Sequence, residues 1–293
     1  MKKVVITGGT GFIGTYIAKR FHESGFLVVI VSRSPEHVSW SPVELIEAFE
    51  GAYMVINLAG KSINCIHNES NKSAIIQSRI NTTLWIGNAI EACKVPPLLW
   101  VNASATGIYK PTKDRPMTEN ETQLGNDFLS DVARQWERTF FGFNLTDTRQ
   151  VALRTSVVLG RDGGALKPLV TLSRLWLGGK QADGSQIFSW IHIEDYFRVL
   201  IFLCDNDSVR GVINCTSPDP ITNNDFMRTI RKQLRIPVGI CAPAFVIKLG
   251  ARLAGTEPEL ILNSSYVLPK RLLDAGFQFA YPDIAKALHH LLE

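Results

Sequence analysis

Thr7-Gly8-Gly9-Thr10-Gly11-Phe12-Ile13-Gly14 follows the apolar run Val4-Val5-Ile6 and opens a segment in which Ile13, Ile17 and Phe21 recur every four residues. A short buried strand, a glycine turn and an amphipathic helix in that order read as the first βα unit of a dinucleotide-binding sheet. Gly8 permits the tight turn. Gly11 removes the side chain where backbone must approach a pyrophosphate, and Gly14 lets the helix pack closely. The helix start offers unpaired N–H groups and the positive end of its dipole to phosphate. Thr10, Phe12 and Ile13 complete the cradle.

The next elements extend the pattern. Residues 26–31 form a continuous apolar strand, as a sheet covered on both faces requires. It ends at Ser32-Arg33, where a cofactor with a free ribose 2′-hydroxyl favours a carboxylate. None is present. Arg33 offers charge-assisted bonds to a 2′-phosphate and Ser32 a further hydrogen bond, so the expected cofactor is NADP(H) rather than NAD(H). Helix 42–49 and strand 53–58 follow, and Leu58, Ala59 and Gly60 bring the chain past the adenosine side of the cofactor. A polar loop with Asn64, Asn68 and Asn71 leads to a helix at 78–93. Arg79 at its start either reaches the pyrophosphate or a ribose, or is a surface arginine.

A strand at 98–102, an irregular excursion at 107–125, a helix through Phe128, Val132, Trp136 and Phe140, and a strand at 149–159 continue the alternation. It predicts an α/β fold: a doubly wound, mostly parallel Rossmann sheet with a small, mainly helical C-terminal substrate lobe. The expected domains are 1–220 and 221–293, with 160–190 contributing to the lobe. Gly160, Gly163 and Gly164 read as a flexible connection.

Composition excludes several classes. The 293 residues are 45% hydrophobic and 20% charged, which fits a globular chain and not a disordered one. A net charge of +4 from 31 basic and 27 acidic residues, scattered along the chain, gives no nucleic-acid groove. Five widely spaced cysteines and six histidines form no CxxC or HExxH pattern, so no metal is expected. No apolar run is long enough to span a membrane and the N-terminus lacks a signal-peptide pattern. A cytoplasmic protein without a membrane partner is expected.

Together these motifs resemble the extended short-chain dehydrogenase/reductase superfamily, and within it an atypical, epimerase-like family described as nucleoside-diphosphate-sugar epimerase-related. The likeness rests on TGGTGFIG at 7–14, SR at 32–33, NLAG at 57–60, SATGIY at 104–109, SVVLGRDGGAL at 156–166, GGKQADGSQIFSWIHIEDY at 178–196 and LPKRLLDAGFQFAYPDIAKAL at 268–288. The last lies in the family's small C-terminal module, near 243–290. The resemblance implies cofactor contacts at Ser32, Arg33, Leu58, Ala59 and Arg79, with Val158 near the nicotinamide; an acidic contact falls near Ala74 and is missing.

Active members of the superfamily use a Ser or Thr with a Tyr-x-x-x-Lys pair, tyrosine carrying the proton. Ser104 matches the serine as a catalytic or substrate-contact residue. The tyrosine and lysine positions fall on Leu129 and Ala133, or on Phe128 and Val132 one residue earlier. Neither register holds a proton carrier. Tyr109 is a substitute candidate, with Lys110 beside it; Asp131 faces an uncertain side of its helix. Gln186, Trp190 and His192 are candidate substrate contacts, although His192 and Asp195 also fit a structural junction, with Asp195 capping the following helix. The leading expectation is an NADP(H)-binding, epimerase-like or reductase-like protein acting on a small carbonyl or hydroxyl substrate, a sugar derivative among them. The alternative is a noncatalytic NADP(H) sensor or regulatory protein. Helices 78–93 and 126–143 could form a homodimer interface as in the resembled superfamily, and a monomer is equally compatible.

Overall fold

A computed structural model describes residues 1–293. Six parallel strands form the main sheet in the order β2-β1-β3-β4-β5-β9. They are β1 (Lys3–Thr7), β2 (Leu27–Val31), β3 (Met54–Asn57), β4 (Leu99–Ala105), β5 (Arg149–Thr155) and β9 (Gly211–Cys215). The connecting helices are α1 (Phe12–Glu23), α2 (Pro42–Phe49), α3 (Glu69–Ala92), α4 (Phe128–Phe141) and α6 (Ile193–Asp205).

The period of two along each strand explains why its apolar runs are continuous. Val4, Ile6, Met54 and Ile56 face one side with Ile17 and Phe21 of α1 and Val199 and Leu200 of α6. Val5, Val55 and Trp100 face the other with Leu45 and Phe49 of α2, Ile86 and Ile90 of α3 and Phe140 of α4. Both faces are therefore apolar, and polar residues appear at the carboxyl ends of the strands.

The second half adds β6 (Val157–Leu159) paired with β8 (Trp190–His192), and β7 (Ile187–Phe188) paired with β10 (Ile221–Thr222). The helices α5 (Leu166–Arg174), α7 (Asn223–Gln233), α8 (Ala244–Leu253), α9 (Glu259–Leu262), α10 (Lys270–Asp274) and α11 (Ile284–Leu292) belong here. A third core of Trp190, Leu166, Phe226, Ile230 and Leu288 joins α5, α7 and α11 into a smaller helical lobe.

Three expectations change. The helix expected at 78–93 starts at Glu69, because Asn68 accepts the N–H of Asn71 at 2.9 Å and caps it. The strand expected at 149–159 breaks at Ser156, and β6 leaves the main sheet to pair with β8. The glycines at 160, 163 and 164 are not slack: a Cβ on each would lie 2.6–2.8 Å from the ring of Phe12, which they enclose.

Candidate cofactor and substrate site

The turn between β1 and α1 is shaped by its glycines. Gly8 has φ +74°, and a Cβ there would stand 2.9 Å from the N of Ala59. A Cβ on Gly14 would lie 2.5 Å from Gly8 O, so helix and turn touch backbone to backbone. On Gly11 it would meet only Gly8 O, at 3.5 Å, and otherwise point into open space. No side chain caps α1 and no acid occupies its first turn. The N–H groups of Phe12, Ile13 and Gly14 have no partner within the protein. An uncapped helix start of this kind, beside a glycine without a side chain, fits a phosphate.

Around it, the Ser32 hydroxyl is buried, accepts the N–H of Ser34 at 3.0 Å and bonds His37 Nδ1 at 2.9 Å. Arg33 is exposed at the end of β2, with no ion pair. Ala59 N–H donates to Asn57 Oδ1 at 3.0 Å, and Gly60 lies against the guanidinium of Arg79. Arg79 donates to the carbonyls of Lys61 and Ile75 at 3.0 and 3.1 Å and lies over the ring of Trp136. No carboxylate meets it, and burial pulls it down to about 10, so it is still cationic at neutral pH. Val158 is buried in the core against which Phe12 packs.

Two rows of polar side chains cross the sheet near its carboxyl edge. The register aligns Thr7, Asn57 and Asn102. Thr7 Oγ1 donates to Asn57 Oδ1 at 2.8 Å, and Asn57 Nδ2 to Asn102 Oδ1 at 2.7 Å. Two residues further along the strands it aligns Ser104, Arg154 and Asn214. Ser104 Oγ donates to Glu137 Oε1 at 2.6 Å. Arg154 grips the same carboxylate with Nε and Nη2 at 2.8 and 2.7 Å, and its Nη1 donates to the Tyr109 hydroxyl at 2.8 Å. That hydroxyl donates to Asn214 Oδ1 at 2.8 Å, and Asn214 N–H to Glu119 Oε1 at 2.9 Å. Every side chain from Ser104 to Asn214 in this chain of bonds is buried. Burial lowers the Arg154 pKa, but the bonds and charge of Glu137 outweigh it, and the net shift is upward. Burial raises Tyr109 above its usual value against the opposing Arg154 cation. Its proton is thus held at neutral pH and directed at Asn214.

A small cavity of about 70 Å³, open to solvent, lies at the carboxyl end of β4. Thr106, Tyr109, Lys110, Asp127, Leu129 and Tyr266 contribute to its wall. Leu129, the tyrosine position in the first register, lines this cavity, and Ala133 is buried. In the other register, Phe128 stands 5.1 Å from the ring of His67 and Val132 is buried. Asp131 bonds Gln135 on its own helix at 2.6 Å.

The remaining candidates do not line this cavity. Trp190 is fully buried with its indole N–H on Asp219 O at 3.0 Å. Gln186 is buried and donates to Gln181 O at 3.1 Å. His192 caps α6: its Nδ1 accepts Glu194 N–H at 3.0 Å, so Nε2 carries the proton toward His290 Nδ1 at 3.1 Å. The cap expected from Asp195 therefore falls to His192. Asp195 instead accepts the N–H groups of Ala280 and Tyr281, both at 2.8 Å, and anchors the chain leading to α11. Sequence reasoning missed Glu137 and Arg154. Their signal was a charge within otherwise apolar surroundings, an acid on the inward face of α4 and an arginine inside Val-Ala-Leu-Arg-Thr.

A parallel sheet with a glycine turn at its first helix, a cavity at its carboxyl edge and a helical lobe beyond define a Rossmann-type short-chain dehydrogenase/reductase architecture. Residues 4–128 match the NAD dependent epimerase/dehydratase family, and 242–291 match a domain of unknown function. An epimerase family protein of Staphylococcus saprophyticus is 36% identical over 300 residues, with both chains fully covered. The crystal structure of human epimerase family protein SDR39U1 (isoform 2) with NADPH is similar at a TM-score of 0.90 and 32% identity, covering 99% of this chain and 98% of that one. A nucleoside-diphosphate sugar epimerase structure from Corynebacterium glutamicum has a TM-score of 0.80 and 29% identity, over 99% of this chain and 58% of that one. The chain belongs to the NAD(P)-dependent epimerase/dehydratase family of extended short-chain dehydrogenases/reductases.

Proposed function

We propose that the protein binds NADP(H) across the β1–α1 turn and acts as an epimerase-like or reductase-like oxidoreductase on a small carbonyl or hydroxyl compound. The observation that carries this reading is the uncapped α1 N-terminus together with Arg33, an exposed cation just past β2 that makes no ion pair. The N–H groups of Phe12, Ile13 and Gly14 hold the pyrophosphate, with Gly8, Thr10 and Gly11 shaping its seat. Ser32 and Arg33 hold the 2′-phosphate. Leu58, Ala59 and Gly60 flank the adenosine side, Arg79 adds an unpaired cation, and Val158 lies toward the nicotinamide. The NADPH in the human relative supports the same cofactor here.

When bound, NADP(H) supplies hydride exchange at a carbon bearing oxygen. The protein's own part is orientation. Glu137 and Arg154 fix Ser104 behind the cavity and Tyr109 in its wall, so Ser104 and Tyr109 serve as positioning residues and neither carries the transferred proton. Gln186, Trp190 and His192 hold the lobe that borders the substrate rather than the substrate itself. The domain division at 220/221, with 160–190 on the lobe side, fits this arrangement, as do a cytoplasmic location and pairing of two copies through α3 and α4. A noncatalytic NADP(H) sensor is the second reading, favoured by Leu129 and Ala133 at the positions of the proton carrier and its partner.

Titration with NADPH and NADH tests the cofactor assignment. Arg33→Ala should weaken NADPH by more than tenfold, since one charge-assisted pair contributes about 1.5–3 kcal/mol, and leave NADH nearly unchanged. Equal losses for both would remove the 2′-phosphate assignment. Steady-state NADPH oxidation against a panel of carbonyl compounds then separates the readings: turnover supports the oxidoreductase, and saturable binding without turnover supports the sensor.

A further inference from the structure

We infer that the C-terminal lobe carries a docking face for an anionic lipid surface, on which the folded protein lies without crossing it. The inference is independent of the cofactor reading. Residues 166–182 and 226–256 build the face, and backbone bonds hold the two segments together. Ile240 N–H donates to Trp176 O at 2.7 Å and Gly179 N–H to Ile240 O at 3.0 Å. Leu175 and Trp176 are 62% and 51% exposed, and Val238 and Ile240 beside them 59% and 61%. On α8 the buried side holds Ile247 and Ala251. Phe245, Leu249 and Leu253 recur every four residues on the opposite side and are 72%, 61% and 82% exposed. A surface helix normally turns polar residues outward. This one turns a second apolar face outward, beginning just after residues 240–242, which bond to the apolar loop after α5, and an apolar patch marks an interaction surface.

Charge decides the occupant. The two segments contain nine Lys or Arg, while the whole chain is only +4, so the rest is net negative; the acids at their borders, Asp183, Asp225 and Glu257, are each engaged, by Lys113, Arg228 and the N–H of His67. Of these cations only Arg228 meets a carboxylate, Asp225 at 3.0 Å. Arg174, Lys180, Arg235, Lys248 and Arg252 are all exposed. A second copy of the same face would oppose cations to cations, and the bordering acids are already engaged within the chain. A layer of anionic headgroups over acyl chains answers both the charge and the apolar side chains, as for amphipathic helices that lie in the interfacial plane. No helix is long and apolar enough to cross a membrane, so the contact is with the surface alone.

Co-sedimentation of the full chain with vesicles of phosphatidylcholine alone, and of phosphatidylcholine with phosphatidylglycerol, tests the inference. Binding should require the anionic lipid and weaken as salt rises. Lys248→Ala/Arg252→Ala should weaken it roughly 25-fold, at roughly fivefold per cation. Phe245→Asp/Leu249→Asp should abolish it, and thermal melting should stay unchanged because both side chains are exposed. Failure of the folded protein to bind anionic vesicles, or binding indifferent to both double variants, overturns the inference. So does a dimer that Phe245→Asp/Leu249→Asp splits while vesicles are ignored, which would give the face to a second copy.

Discussion

Glu137 and Arg154 show how much a single buried charge constrains. Their carboxylate and guanidinium are nearly inaccessible, joined by two hydrogen bonds, and each serves a further partner, Ser104 or Tyr109. Replacing both by apolar residues removes two desolvation penalties at once, whereas removing one strands the other. Glu137→Leu and Arg154→Met should each destabilise the fold by about 3–5 kcal/mol in urea titrations, and the double variant by much less than their sum. Additive losses would mean that the pair is not a coupled unit. At this scale the glycine turn was readable from residue type alone, because backbone clearance leaves few substitutes. Ser104 and Tyr109 were found by position, but their engagement was not, since Glu137 and Asn214 approach them from 33 and 105 residues away.

Elements that bury both faces were legible, and those whose ends are set by one cap or one ring were not. The strands β1, β2 and β3 announced themselves as nearly unbroken apolar runs. The start of α3 did not, because Asn68-Glu69-Ser70-Asn71 has the composition of a loop until the Asn68 cap is seen. The glycines after β6 were misread for the converse reason: they resemble a hinge in sequence, yet they make room for Phe12 at the start of α1. Gly163→Ala would put a methyl group 2.6 Å from Phe12 Cδ2. Overpacking of this sort costs about 1–3 kcal/mol. Calorimetry should show Gly163→Ala lowering Tm, and Phe12→Leu in the same chain recovering part of the loss. If the second substitution only adds to the first, the ring is not what the glycines accommodate.

Across the whole molecule, the helical lobe is fastened to the sheet by a junction that is itself sensitive to acid. His192 ends β8 and caps α6, stacks on Tyr281 at 4.0 Å between ring centroids, and donates toward His290 of α11. Burial first, and His290 second, lower its pKa to about 4, with Glu194 opposing. An unfolded histidine titrates near 6.5. Between these values the unfolded chain binds a proton that the folded chain refuses, so stability falls as pH drops through that window and is unaffected by this group above it. The full loss is roughly 3 kcal/mol. Glu194, held below its usual range by Arg20 and Tyr16 despite burial, adds a loss at still lower pH; Asp195, raised by burial, offsets part of both. Urea titrations between pH 7.5 and 4.5 should therefore show a declining midpoint in the native chain. His192→Asn keeps an acceptor for Glu194 N–H but has no imidazole to charge, so its midpoint should start lower and decline less. Parallel declines in the two chains would move the acid-sensitive junction away from His192.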